Sequence, residues 1–297
     1  MKRLPLLLLA ILFAGCGGSG SGAKESSLPS SLQKLFRYDR SAPLDVKNAR
    51  APVTEQNVTL SDISFSSAGR RVQAFVLAPS KKGKHPAVIY QHGSGQNRAE
   101  FVPEAFKLAR RGVVSVLLDE PWVRGGPTGP RNQVALTVRN NYVDNVIDVR
   151  RAVDYLLSRG DVARHRIGFL GHSYGAAIGG IASGVEKRIV AYDLLAVGAT
   201  PSAGYARIIA QSPQQRAAYK RLLHTIDPIR YVRHANPSKL FLQAGRDDEL
   251  IPQPDLKAMI NAASKPKKIK WYDAGHALTQ GAFDDSAAWL ARELKFA

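Results

Sequence analysis

Cysteine occurs once in the 297 residues, methionine twice and tryptophan three times. The single thiol, Cys16, can close no internal disulfide, so a cystine-stapled scaffold is excluded. No cluster of His, Cys and Asp shows metal-ligand spacing, and neither a metal nor a cofactor is expected. A dinucleotide glycine fingerprint is lacking too, since the Gly/Ser stretch at 17–22 follows no strand. After residue 14 no apolar run is long enough to span a bilayer. Acidic side chains are scarce, 24 against 42 Lys and Arg, giving a formal net charge of +18.

That surplus predicts a strongly basic surface. The basic residues are spread along the chain, and the short runs at 81–84 and 265–270 read as solvated loops or strand edges. No nucleic-acid partner is expected; an anionic envelope surface suits the charge better. At this length the chain can bury a full core, and one domain is expected.

The apolar run lies at the start, residues 4–14 behind Lys2 and Arg3, with small residues before Cys16. This is the layout of a secretory signal, expected over residues 1–15 and outside the fold. Phe13-Ala14-Gly15-Cys16 resembles the bacterial lipoprotein processing site, although Leu is usual where Phe13 stands. The resemblance implies lipidation of Cys16, a membrane as partner, and a lipid-anchored protein of the cell envelope. Residues 17–22 then read as a flexible tether, and the segment to 53, with Pro29, Pro43 and Pro52, as an N-terminal extension on the surface. The catalytic domain is expected over 54–297.

From residue 54 onward, short apolar runs alternate with longer amphipathic ones, the pattern of βαβ units around a mainly parallel sheet. Eight strands are predicted, at 57–65, 71–77, 87–91, 113–118, 166–170, 189–197, 240–244 and 269–272. Helices are predicted at 101–111, 140–158, 176–184, 213–224, 254–263 and 284–294. Asp144, Asp148 and Asp154 interrupt the apolar spacing of the second helix, so they are expected to be solvated or paired with Arg150 and Arg151.

Gly171-His172-Ser173-Tyr174-Gly175 stands between an apolar strand and an Ala/Gly-rich helix, the strand-turn-helix setting of a nucleophile elbow. Ser173 is therefore the candidate nucleophile. The base of such a fold follows far downstream, and His276, in the loop between the last strand and the last helix, holds that place. His224 and His234 fall in a basic insertion. His92 and His172 are expected to pack or hydrogen-bond within their motifs. The acid should follow the penultimate strand, where Asp247, Asp248 and Glu249 compete. Acyl transfer also needs donors for a developing oxyanion. The amide of Tyr174 is one candidate, and that of Ser94, in His92-Gly93-Ser94-Gly95, the other.

These motifs resemble the dienelactone hydrolase-like and prolyl oligopeptidase-type members of the α/β-hydrolase superfamily. In those families the acid stands third after a glycine and four before a proline, which implies Asp248 in the run 245–252. Asp227-Pro228, Tyr231 and Pro237 look like the families' approach to the acid, and 92–95 like their oxyanion loop. True dienelactone hydrolases carry a cysteine where Ser173 stands. The resemblance implies an α/β-hydrolase fold with an eight-stranded, mainly parallel sheet, helices on both faces and a small cap at about 199–237. It implies a serine hydrolase of small-molecule carboxylic esters working through an acyl-enzyme. A peptidase of the same fold and a catalytically silent binding lipoprotein are the alternatives. Trp122, in the turn-rich loop 121–130, and Tyr205, in the cap, are substrate-binding candidates. With Ile208, Ile209, Tyr219, Leu222 and Leu223 also free to line a compact apolar pocket, short-chain or aryl esters are expected.

Overall fold

The computed structural model describes residues 27–123 and 133–297. The expected signal, Cys16, the tether and most of the loop 121–130 lie outside the described residues.

All eight predicted strands are present, as β3 (Val58–Ser67), β4 (Arg70–Pro79), β5 (His85–Gln91), β6 (Val114–Leu118), β7 (Val162–His172), β8 (Ala191–Leu195), β9 (Lys239–Gly245) and β10 (Lys267–Tyr272). Two further strands, β1 (Lys47–Asn48) and β2 (Val53–Glu55), both pair with β3, so the sheet has ten strands rather than eight. Each is too short and too exposed to show the alternation that betrays a strand in sequence. The order is β1-β3-β4-β6-β5-β7-β8-β9-β10. Pairing is antiparallel up to β4–β6 and parallel from there to β10. The central parallel strands are the apolar ones: β5, β6 and β8 are buried at every position, as strands covered on both faces must be.

Helices cover both faces. One layer holds α3 (Val134–Ser158), α4 (Tyr174–Val185), α7 (Ile229–Val232) and α8 (Gln253–Ala262); the other holds α2 (Val102–Arg110) and α9 (Gln280–Leu294). Between β8 and β9 the chain adds α5 (Pro201–Ile209) and α6 (Pro213–Leu223). The short helix α1 (Ser30–Lys34) belongs to the N-terminal extension.

That extension is pinned to α3. Phe36 is fully buried against Tyr231, and Arg150 Nη1 donates to the Phe36 carbonyl at 2.5 Å. Arg151, only 2% exposed, donates to the carbonyls of Ala42, Pro43 and Ser66. These bonds use the arginines that the helical spacing offers to the aspartates, and the pairing expected within α3 is only partly found. Asp154 takes Arg151 at 3.1 Å and Arg188, but Asp148 is fully buried and binds Ser67 and Arg70. Asp148 faces the sheet, where Ser67 of β3 and Arg70 of β4 meet it.

Candidate active site

The crossing of β5, β7 and α4 leaves no room for side chains at two points. A Cβ on Gly175 would lie 2.0 Å from the Gln91 carbonyl oxygen, and one on Gly171 would lie 2.5 Å from the Gly175 carbonyl. Glycine at both positions lets the strand turn sharply into the helix. The turn residue is Ser173, at φ 53° and ψ −113°, a backbone region that costs a non-glycine residue of order 1–3 kcal/mol and that packing around it must maintain.

The structure brings Ser173, His276 and Asp248 into one chain of hydrogen bonds. The Ser173 hydroxyl donates to His276 Nε2 at 2.7 Å. On the far side of the ring, Nδ1–H donates to both Asp248 oxygens, at 2.9 and 3.0 Å. The Asp248 carboxylate is fully buried and also accepts the amides of Leu250 and Ile251 at 3.0 and 2.8 Å. Asp247 is exposed and makes no side-chain contact with the imidazole; its amide binds the Ala274 carbonyl. The third competing carboxylate, Glu249, accepts the His276 amide at 3.0 Å and so holds the loop rather than the ring.

Around this relay lies a second set of contacts that the sequence motifs did not reveal. Glu100 accepts the Gly93 amide at 2.8 Å, and its other oxygen lies 3.5 Å from His172 Nδ1. His172 Nε2 in turn binds the His276 carbonyl at 3.0 Å. Burial works against a charged His172, yet the Glu100 carboxylate and the His276 carbonyl outweigh it, and its pKa stands above the ordinary imidazole value. His92 is the opposite case: burial lowers its pKa. Its Nδ1 donates to the Gly93 carbonyl at 2.9 Å while Nε2 accepts the Glu120 amide at 3.1 Å, which fixes a neutral tautomer.

The cavity that contains Ser173 has a volume of about 710 Å³, ample for a small ligand. Ser94, Tyr174 and Tyr205 line it, with Tyr142, Ala177, Leu250 and Ile251 completing an apolar wall. Tyr174 opens α4, so its amide is among those with no acceptor inside the helix. Tyr142 packs edge-on against Tyr174 at 4.9 Å and Tyr205 at 6.0 Å, tying α5 to α3.

Two expectations about the lining are corrected. Trp122 does not line this cavity; it packs against the core cluster that includes Tyr142 and Tyr174. Of the apolar cap residues, Tyr205 and Ile208 line the cavity, whereas Ile209, Tyr219, Leu222 and Leu223 do not. Leu223 is fully buried in the core, while Arg216 and Lys220, two turns and one turn earlier on the same face of α6, line the cavity. The cap holds two full helices, the first starting at Pro201 behind Thr200, whose hydroxyl donates to Asp255 at 2.7 Å. Asp227 also braces α5, accepting the Ser202 amide and hydroxyl; its other partner is His224. Among the described residues no group of three or more His, Cys, Asp and Glu is placed to hold a metal.

Comparison with known proteins agrees with this architecture. The model of the Prolyl oligopeptidase family matches residues 100–297. A curated relative, "Putative hydrolase YtaP" of Bacillus subtilis (strain 168), is 26% identical over 180 residues, 53% of this chain. The match spans only 60% of that relative's length. Acetyl xylan esterase 1 from Thermoanaerobacterium sp. JW/SL YS485 superposes with a TM-score of 0.75 at 18% identity, over 89% of this chain and 92% of the esterase. A prolyl endopeptidase structure superposes with a TM-score of 0.63 at 17% identity, over 84% of this chain but 40% of the peptidase.

Proposed function

The chain belongs to the prolyl oligopeptidase family of α/β hydrolases, and from that premise we propose that it hydrolyses small carboxylic esters through an acyl-enzyme on Ser173. The observation that carries this reading is the unbroken relay from Ser173 through His276 to Asp248 beside a cavity of ligand size. Ser173 Oγ attacks the ester carbonyl carbon as its proton passes to His276 Nε2. Asp248 keeps the ring in the required tautomer and stabilises the imidazolium. The amides of Tyr174 and Ser94 receive the charge that develops on the carbonyl oxygen, each donor contributing about 10²-fold or more in rate. Collapse breaks the bond to the alcohol oxygen, which takes the proton from His276. Water then attacks the acyl-enzyme, giving one proton to His276 that returns to Ser173 Oγ as the acid leaves.

Ester rather than peptide cleavage is supported by the nearly full-length likeness to an acetyl xylan esterase, against two-fifths of a prolyl endopeptidase. The apolar wall beneath a two-helix cap favours short-chain or aryl acyl groups. The Phe13–Cys16 motif supports a further part of the reading, that residues 1–15 are removed, Cys16 is lipidated, and the domain from 54 onward works on a membrane of the cell envelope.

A fluorophosphonate probe tests the nucleophile: it should label the native protein and not Ser173→Ala. Acetate, butyrate and palmitate esters of one chromogenic alcohol test the pocket, and a clear preference for palmitate would overturn it. Cys16→Ser should release the protein from membranes; unchanged membrane association would refute the lipid anchor.

A further inference from the structure

The cap does more than close the cavity with apolar groups. Arg207 on α5, and Arg216 and Lys220 one turn apart on α6, line the same cavity as Ser173. All three are exposed, and among the described residues none of their side chains has an ion pair or hydrogen bond. This sets them apart from arginines elsewhere, such as Arg70, Arg98, Arg150 and Arg188, which all hold carboxylates. One carboxylate lines the cavity with them, Asp255, and it is committed to the Thr200 hydroxyl at 2.7 Å and amide at 3.3 Å. Three cations thus line this cavity against one carboxylate among the described residues, and Asp255 pairs with none of them. The wall nearer the nucleophile is aromatic and aliphatic, from Tyr142, Tyr174, Tyr205 and Ile251.

We infer that Arg207, Arg216 and Lys220 form an anion subsite, and that the preferred substrate is an ester with a carboxylate, sulfate or phosphate held away from the scissile bond. The inference rests on the ester-hydrolase reading above and specifies its substrate class. The apolar wall takes the carbon skeleton next to the carbonyl, and the cap takes the charge. Guanidinium groups suit such planar or tetrahedral oxyanions because they present several donors in one plane. The charge can sit on the acyl or on the alcohol part, and both fit the chemistry of the three side chains.

Matched ester pairs assayed with the full chain distinguish these cases. On the acyl side, the 4-nitrophenyl hemiester of glutaric acid is compared with 4-nitrophenyl valerate; on the alcohol side, 4-acetoxybenzoate is compared with phenyl acetate. The anionic member of one pair should show at least a tenfold higher kcat/KM at low salt, and the advantage should shrink at high ionic strength as the charges are screened. In the double variant Arg216→Gln, Lys220→Gln, the anionic-to-neutral ratio should fall several-fold, and Arg216→Glu should lower it further. A ratio near one in both pairs, a ratio independent of salt, or one unmoved by Arg216→Glu would overturn the anion subsite while Ser173-dependent ester hydrolysis stands. Failure to cleave any of the four esters would overturn the ester reading, and the subsite with it.

Discussion

Asp193 lies on β8, fully buried beneath α9, far in function from the relay but informative about the fold. One oxygen accepts from Gln243 Nε2 at 2.8 Å; the other has no hydrogen-bond partner among the described residues. Gln243 also binds Ser286 and the Tyr272 hydroxyl, so the network is nearly spent before it reaches Asp193. Burial raises the Asp193 pKa to about 7. An aspartate in water titrates near 3.9, and at about 1.4 kcal/mol per pH unit the gap corresponds to about 4 kcal/mol. The sign follows from proton counting. Between pH 4 and 7 the folded protein holds a proton that the unfolded chain has lost, so stability falls as pH rises and the full loss is reached above pH 7. Asp193→Asn, which mimics the protonated acid, should therefore be neutral or slightly destabilising at pH 4.5. At pH 8 it should be more stable than the native protein, by up to about 4 kcal/mol. Urea unfolding followed by tryptophan fluorescence at pH 4.5, 6 and 8 measures this. A stability difference that stays flat with pH, or a variant that is weaker at pH 8, would refute the reasoning.

Other perturbations separate the remaining roles. Asp248→Asn should lower kcat/KM by about 10³–10⁴ and Asp247→Asn by less than about threefold, because only the former reaches His276; the reverse ranking would move the acid to Asp247. Glu100→Gln keeps an acceptor for the Gly93 amide but removes the charge beside His172. Since the folded His172 pKa is raised, the pair's contribution is complete below the unfolded imidazole value and fades as pH rises through the folded one. The variant should lose about 1–2 kcal/mol at pH 5 and little at pH 9, as read by urea unfolding. Gly175→Ala drives a Cβ into the Gln91 carbonyl and should abolish soluble expression or lower Tm steeply, while Gly204→Ala, with open space around it, should be neutral or mildly stabilising.

The eight longer strands were legible because their apolar runs are continuous or alternate cleanly, and Gly-x-Ser-x-Gly because β7 and α4 flank it with opposite periodicities. Strands β1 and β2 expose every residue and bear no such signal. Helix α5 was missed because Pro201, Gly204 and a short length mask its periodicity. The apolar side of α6 was visible in the sequence, but the direction it faces depends on packing. Leu223 enters the core at the end of the helix, and the cavity meets Arg216 and Lys220 earlier on the same face. Glu100 had no signal at all, since it meets His172 and Gly93 only when the β5 and β7 crests are folded side by side.

The sheet ends at β10, which pairs with β9 on one side and with nothing on the other among the described residues. An unpaired strand is a template for a second copy of the chain. Lys267 is turned back onto the last carbonyls of α8, Lys268 covers the Phe241 ring at 4.2 Å, and Lys270 pairs with Asp285. The opposite margin is closed by the two- and three-residue strands β1 and β2. These lysines put charged side chains on an open edge, where a like edge could dock only by burying them. Thr or Val at positions 268 and 270 would give up the contacts with Phe241 and Asp285 and should make a concentrated solution lengthen, sheet to sheet, into aggregates.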